Sequence, residues 1–254
     1  LESILERLAG KRAAVFLDYD GTLVPIVPRP ELARMSHSMR EAVRELSRRC
    51  PVAIVSGRDR AEVERLVDID SLVYAGSHGF DLAGQGFPLA DQAGEKFRSA
   101  LAAAARELEE RIGQIDGVWI EPKRYAVAVH YRLVPQAELP RVEEAVREAA
   151  LEHPELLLSA GKAVYEFRPN IEWNKGKAVL WLLRNLGLDR ADVVPIYVGD
   201  DLTDEDAFEA LVDRGIGIVV GDPGERPTRA QYILADCAEV ERFLRELATA
   251  SPVA

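Results

Sequence analysis

The feature that most constrains this chain is a series of short apolar runs that stop abruptly at acidic, hydroxyl or glycine residues. Ala13–Leu17 stops at Asp18 and Val52–Val55 at Ser56. Leu72–Ala75 stops at the turn Gly76-Ser77-His78-Gly79, and Val193–Val198 at Gly199-Asp200-Asp201. Apolar runs this short read as buried strands. Helical patterns lie between them. Met39, Val43 and Leu46 share one face of Met35–Arg49, Asp59 and Glu62 have the spacing of a capping box, and Lys175–Leu186 closes on Gly187. Strand–helix alternation of this kind specifies an open parallel α/β sheet. Ligands of such sheets bind beyond the carboxyl ends of the strands, so the residues that end each run are the first candidates for chemistry.

The middle of the chain breaks the alternation. Ala90–Ile115 reads as a long helix, followed by strand-like runs Val118–Pro122 and Ala126–Tyr131 about a turn at Lys123-Arg124. A helix over Pro140–Leu151 comes next, then strands Leu156–Ser159 and Ala163–Phe167 flanking Ala160-Gly161-Lys162. Two hairpins and two helices make a small α+β module inserted into the sheet domain. The boundaries fall near Gly84 and Pro169, giving a core of 1–83 and 169–254 and an insert of 84–168. The alternation then resumes. Thr203 is expected to cap a helix with Asp204, Glu205 and Asp206 in its first turn. Strands Ile216–Val220 and Tyr232–Leu234 and a helix over Val240–Leu247 complete the chain.

Composition excludes several classes. With 254 residues, 48% hydrophobic and 30% charged, the chain has ample apolar surface to bury and is not disordered. Its two cysteines, Cys50 and Cys237, form no CxxC pair, which argues against a disulfide scaffold and a zinc–thiolate site. The net charge of 32 − 43 = −11 argues against nucleic-acid binding but not against a small anion held by local cations or a metal. No apolar stretch of about 18 residues is present, so no membrane span is expected. The opening LESILERLAGKRAAVF lacks the apolar core of a signal peptide, and a cytoplasmic location is expected. Neither GxxxxGK[ST] nor a strand-following GxGxxG occurs, so nucleotide binding is weakly supported.

The strand ends carry the chemistry. In Asp18-Tyr19-Asp20-Gly21-Thr22, a carboxylate straight after a buried strand can attack an electrophile, and a second one two residues on can move a proton. Gly21 lets the chain turn away. The competing reading is an ordinary polar turn. Acids clustered at Gly199-Asp200-Asp201 and Asp204 are costly unless a cation neutralises them. Mg2+, with its few carboxylates, waters and phosphate oxygens, suits Asp200, while helix capping is the other reading for Asp204–Asp206. Ser56-Gly57 offers a hydroxyl and backbone N–H groups as an oxyanion cradle. Lys175 sits at the unfavourable end of a helix dipole and asks for an anion, from a protein carboxylate or a phosphate.

The ordered set DxDGT, SG, KG and GDD resembles the haloacid dehalogenase superfamily of phosphatases. The resemblance implies a Rossmann-like parallel-sheet core with an inserted α+β cap of the C2 type. Asp18 would be the nucleophile that forms an aspartyl-phosphate, and Asp20 the acid for the leaving alcohol and then the base for water. Ser56, Gly57 and Lys175 would hold the phosphoryl group. Asp18, Asp200 and the backbone carbonyl of Asp20 would bind Mg2+, with Asp201 or Asp204 assisting. The flanks FLDYDGTLVPIVPRPELA, AIVSGR, YAGSHGFDL and EFRPNIEWNKGKA are similar to the trehalose-6-phosphate phosphatase family. That likeness implies a sugar phosphate as substrate, a trehalose-6-phosphate synthase as pathway partner, and sugar contacts from the cap. The matching positions are Lys123, His130, Tyr131, Arg132, Gly161, Lys162, Glu166 and Arg168, with His78 facing the cleft. Arg58 is placed to pair near the phosphate or with the Asp59 helix, and Trp119, Trp173 and Trp181 read as core. The alternatives are a phosphatase for sucrose phosphate or a glucosylglycerol phosphate, a phosphohexose mutase, and a non-catalytic sugar-phosphate-binding domain.

Overall fold

In the computed structural model, residues 2–83, 97–224 and 226–250 are described. The predicted boundary at Gly84 and residues 90–96 of the predicted long helix lie outside them. The chain divides into two compact units, Leu1–Leu89 with Trp173–Ala254, and Ala90–Glu172.

The first unit is built on a seven-stranded sheet. Its order is β11 (Tyr232–Leu234), β10 (Ile216–Val220), β9 (Val193–Gly199), β1 (Arg12–Leu17), β2 (Val52–Val55), β3 (Val73–Gly76) and β4 (Asp81–Ala83). All pairings are parallel except that of β4, an antiparallel edge strand that sequence periodicity did not reveal. β1 is central, and each of its residues from Arg12 to Leu17 pairs with one of Val193–Val198. Its apolar run is continuous because both faces are covered. Val15 and Leu17 join one core cluster with α2 (His37–Ser47) and α8 (Cys237–Ala250). Ala14 and Phe16 join the other with α6 (Lys175–Asn185) and α7 (Leu202–Leu211). Truncating a side chain as enclosed as Phe16 to Ala would cost about 3–5 kcal/mol.

Helix ends depart from expectation in two places. The cap of α7 is Asp201, not Thr203. Its side chain accepts the Leu202 N–H and forms a reciprocal capping box with Asp204. Asp59 does precede α3 (Arg60–Val67), but its side chain makes no capping bond. It accepts the Ser77 hydroxyl instead, and Glu62 turns to Arg58. A short helix α1 (Glu2–Leu8) opens the chain, and α8 runs further at both ends than its apolar stripe indicated.

The second unit is a four-stranded antiparallel sheet. Its order is β5 (Trp119–Pro122), β6 (Val127–His130), β8 (Val164–Pro169) and β7 (Leu156–Gly161). Helices α4 (Arg98–Ile112) and α5 (Leu139–Glu152) share a core with one sheet face through Ile120, Val127, Val129 and Phe167. Alternation sends Glu121, Ala128, Glu166 and Ser159, paired in one row across the strands, to the opposite face. The second hairpin turns at Lys162-Ala163, because Ala160 and Gly161 continue the strand. Ala163 takes up the positive φ of 65° there.

Candidate active site

Four loops of the first unit meet at the carboxyl ends of β1, β2 and β9. The Asp18 N–H donates to the Val198 carbonyl at 2.9 Å, which continues the β1–β9 ladder into the loop. The chain then turns at Gly21, with φ of 84°. A Cβ there would stand 2.2 Å from Asp200 Oδ2, so glycine is what lets the Asp200 carboxylate approach the loop.

Lys175, at the start of α6 and only 3% exposed, bridges two carboxylates. Its ammonium donates to Asp18 Oδ1 at 2.8 Å and to Asp204 Oδ1 at 2.7 Å. Asp204 also accepts the Tyr197 hydroxyl at 2.6 Å and the backbone N–H groups of Asp200 and Asp201 at 3.0 and 2.9 Å. Its two oxygens are therefore committed to fixing Lys175 and the Gly199-Asp200-Asp201 loop.

The electrostatics follow from burial. Desolvation pushes the Asp18 carboxyl well above its ordinary range; Lys175 opposes this, while Asp204 and Asp200 reinforce it. Burial works against the Lys175 ammonium, but Asp18 and Asp204 outweigh it and hold its pKa well above the usual lysine value. Burial also opposes the charge on Asp204, yet Lys175 and the bonds from Tyr197 and Asp201 keep that carboxyl below its ordinary range.

Oxygens of Asp18, Asp200 and Asp204 lie within 4.8 Å of one another. With all three carboxylates ionised, they and one ammonium sum to −3 + 1 = −2, which a divalent cation would balance. An all-oxygen donor set suits a hard ion such as Mg2+. Because Asp204 is already saturated, Asp18 and Asp200 are the carboxylates that fit direct ligation. Asp201 stands outside this group as the α7 cap, with Arg226 Nη1 at 3.9 Å.

Ser56 and Gly57 follow β2. The Ser56 hydroxyl accepts the Arg58 N–H at 3.1 Å, and the Ser56 carbonyl accepts the His78 N–H at 2.9 Å. The His78 ring packs on Gly57, where a Cβ would come within 2.8 Å of it. Ser77 and His78 both adopt positive φ, 49° and 56°, a strained pair held by the Ser77 N–H on the Arg58 carbonyl at 2.7 Å. Asp20 does not join the acid cluster. Its two oxygens accept from Arg58 Nε and Nη2 at 2.7 and 2.8 Å.

The sugar-site candidates other than His78 lie in the second unit. Lys123 donates to Glu166 at 3.2 Å and stands 3.9 Å from Glu121. His130 Nε2 pairs with Glu121 at 2.9 Å, and its ring stacks on Trp119 at 4.5 Å. Arg132 donates to the Lys162 carbonyl at 2.5 Å, which ties two connections together. Gly161 lies across from Val164 and Arg168 from Leu157 in the β7–β8 ladder.

Sequence reasoning missed Glu121 and Tyr197 and put Trp119 in the core, where the structure leaves it 41% exposed. The i, i+2 spacing of Trp119, Glu121 and Lys123 carried the signal for one face. Nothing local marks Tyr197, which sits inside an apolar strand.

The family model for trehalose-phosphatase matches residues 16–238. A trehalose 6-phosphate phosphatase of Zea mays is 44% identical over 97% of this chain and 73% of its own length. A trehalose-phosphate phosphatase of Mycobacterium tuberculosis is 42% identical over 96% of this chain and 63% of its own. Among solved structures, the C-terminal domain of the Candida albicans trehalose-6-phosphate phosphatase superposes with a TM-score of 0.84 at 25% identity, covering 98% of this chain and 96% of that one. A haloacid dehalogenase-like hydrolase from Bacteroides thetaiotaomicron shares the fold, with a TM-score of 0.61 at 14% identity over 93% of this chain and all of that one.

Proposed function

The chain belongs to the trehalose-phosphatase family, and from that premise we propose that it is a Mg2+-dependent hydrolase converting trehalose 6-phosphate to trehalose and phosphate through an aspartyl-phosphate. The observation that carries the reading is the buried Lys175 bridging Asp18 and Asp204 beside Asp200. A nucleophile, a cation for the phosphoryl oxygens and a metal-ready acid pair stand together at the carboxyl end of β1.

In the first step an Asp18 oxygen forms a bond to phosphorus as the bond from phosphorus to the sugar oxygen breaks. That oxygen takes its proton from the Asp20 carboxyl. In the second, a water oxygen attacks phosphorus, the Asp20 carboxylate takes the water's proton, and Asp18 is released as a carboxylate. Lys175 and the Ser56-Gly57 turn hold the phosphoryl oxygens, since positioning and charge neutralisation provide most of the catalysis in such transfers. Asp18, Asp200 and the Asp20 carbonyl would hold Mg2+. Bound there, the ion neutralises carboxylate and phosphoryl charge.

The cap role, substrate selection, is assigned to residues 84–168. Lys123, Glu166, His130, Arg132, Gly161, Lys162 and Arg168 are the proposed sugar contacts, with His78 from the first unit. Polar groups built to bond a hydroxyl discriminate strongly, because a wrong ligand leaves them unpaired. A synthase of trehalose 6-phosphate must supply the substrate. A cytoplasmic location is part of the same reading. Among the described residues no helix is long and apolar enough to cross a membrane.

The test is phosphate release in Mg2+ from trehalose 6-phosphate, sucrose 6-phosphate and glucose 6-phosphate, with an EDTA control. Preference for the first, lost with EDTA, is the expected result. Preference for another sugar phosphate would refute the substrate and leave the chemistry.

A further inference from the structure

We propose that Arg58 is the positioning residue for the Asp20 carboxyl and that Glu62 fixes Arg58 in turn, so that a chain of three side chains aims the acid–base group. The proposal rests on the reading of Asp20 as that group.

Arg58 is 6% exposed, whereas the Asp20 side chain is 39% exposed. Packing therefore does not hold Asp20; the guanidinium does. Nε and Nη2 donate to the two Asp20 oxygens, and Nη1 donates to Glu62 in the first turn of α3. The guanidinium carbon stands 5.4 Å from the centre of the Tyr19 ring. The Arg58 backbone is tied at both ends, its N–H to the Ser56 hydroxyl and its carbonyl to the Ser77 N–H. Asp20 is thus registered against the same turn that is assigned to the phosphoryl oxygens.

Burial works against the Arg58 guanidinium, and Asp20 and Glu62 together outweigh it. Charge balance alone does not ask for a two-point contact with a partly exposed carboxylate. As a positioning device it makes good sense. A carboxyl on a loop rotates about two bonds, and a planar two-point fork fixes its direction as well as its place. When Asp20 gives its proton to the sugar oxygen and later takes one from water, one fork bond can open while the other keeps the carboxyl aimed. A lysine, as a point charge, cannot do this.

The test is a double-mutant cycle on the Mg2+-loaded enzyme, reading kcat and KM on trehalose 6-phosphate and the burst on p-nitrophenyl phosphate, whose leaving group departs without a proton. Arg58→Met should lower kcat on the sugar phosphate by about 100-fold, within the usual range for general acid–base catalysis. KM should stay within about threefold, and so should the aryl phosphate burst. Arg58→Lys should recover less than about a tenth of wild-type kcat. In an Asp20→Asn background Arg58→Met should change kcat by less than about threefold, since the group it positions is gone.

Equal losses in both backgrounds, or equal losses with both leaving groups, would overturn the proposal. Should Arg58→Met fail to fold, Glu62→Gln carries the same cycle, with an expected loss of about three- to tenfold that vanishes in Asp20→Asn. Wild-type enzyme that ignores trehalose 6-phosphate but hydrolyses another alkyl phosphate would refute the substrate assignment alone. The cycle then runs on that phosphate.

Discussion

The two polar regions of this protein are held together by different means. In the first unit, Asp18, Lys175 and Asp204 come from three elements far apart in sequence and are almost fully buried. Each acid answers to one ammonium, and with Asp200 beside them the charge left over is one that a divalent cation would balance. In the second unit, Glu121, Lys123, His130 and Glu166 come from or directly follow neighbouring strands, and all but the buried Glu166 remain partly solvated. They satisfy one another pairwise, as groups do that exchange partners with a polar ligand. On the proposed function the first arrangement moves charge and the second sorts hydroxyl patterns, so damage to each should register in a different kinetic constant.

The largest effect should come from Asp18→Asn. Turnover should fall by about 10⁴ or more, because on the proposed mechanism the variant has no nucleophile and no covalent route. The fold should survive, since burial already disfavours the charged form of Asp18. Steady-state phosphate release together with a thermal melt checks both halves. Activity retained within tenfold would break the assignment of chemistry to this unit.

Removing divalent cations should abolish turnover to a similar degree and restore it on adding Mg2+. Mg2+ should also raise the melting temperature, because a ligand of the native state alone stabilises it by about 2.7 kcal/mol at 100 times its Kd. A melting temperature indifferent to Mg2+ would count against the Asp18–Asp200 pair as its ligands.

Next in size is Lys175→Met. It leaves Asp18 and Asp204 buried without their cation, a change that costs about 3–5 kcal/mol when one partner of a buried pair is removed. Activity should fall by about 10²–10³, the cost of losing one donor to the developing charge. Urea denaturation and kcat report the two losses from one variant. An unchanged unfolding midpoint would show that the triad does not hold the loops.

The difference between the regions also explains what could be read from the sequence. Asp18, Ser56 and Asp200 were legible because each ends an apolar run, and in a parallel sheet those ends converge whatever the intervening chain does. Lys175 was legible from its poor fit to a helix N-terminus. The network around Asp204 was not, because Tyr197 lies in an apolar strand and only the β9–α7 packing brings its hydroxyl to that carboxylate. Asp201 was read as a metal candidate and Thr203 as the cap, since both spacings fit a helix start. The structure gives the cap to Asp201, whose side chain accepts the Leu202 N–H. In the second unit, Glu121 and Glu166 sit in one row only through the β5–β6–β8 register, which turn positions set and composition does not reveal. The edge strand β4 is too short for a period to show.

For the second unit, Glu166→Gln should raise KM for trehalose 6-phosphate by about 10- to 100-fold, the range for one misplaced polar contact with a ligand hydroxyl. Turnover of p-nitrophenyl phosphate, which has no sugar to grip, should fall by far less. A variant that lowers kcat on both substrates equally would mean that this sheet face serves stability or chemistry, and the division of labour would fail.

The smallest effect sharpens the boundary within the first unit. Asp201 and Asp204 are three residues apart at the start of α7, and both are acidic neighbours of Asp200. Asp201→Ala should cost about 1 kcal/mol of stability, the usual price of a lost helix cap. Asp201→Asn, which keeps a capping oxygen, should cost a few tenths at most. Neither should move the Mg2+ concentration for half-maximal activity by more than about threefold, since Asp201 lies outside the Asp18, Asp200 and Asp204 group. Asp204→Asn, by contrast, should weaken Mg2+ as well as stability, because its single acceptor oxygen cannot hold both Lys175 and the Asp200 backbone N–H. A large Mg2+ shift in Asp201→Asn with an unchanged melting temperature would reverse the roles of the two acids and make the cap a ligand.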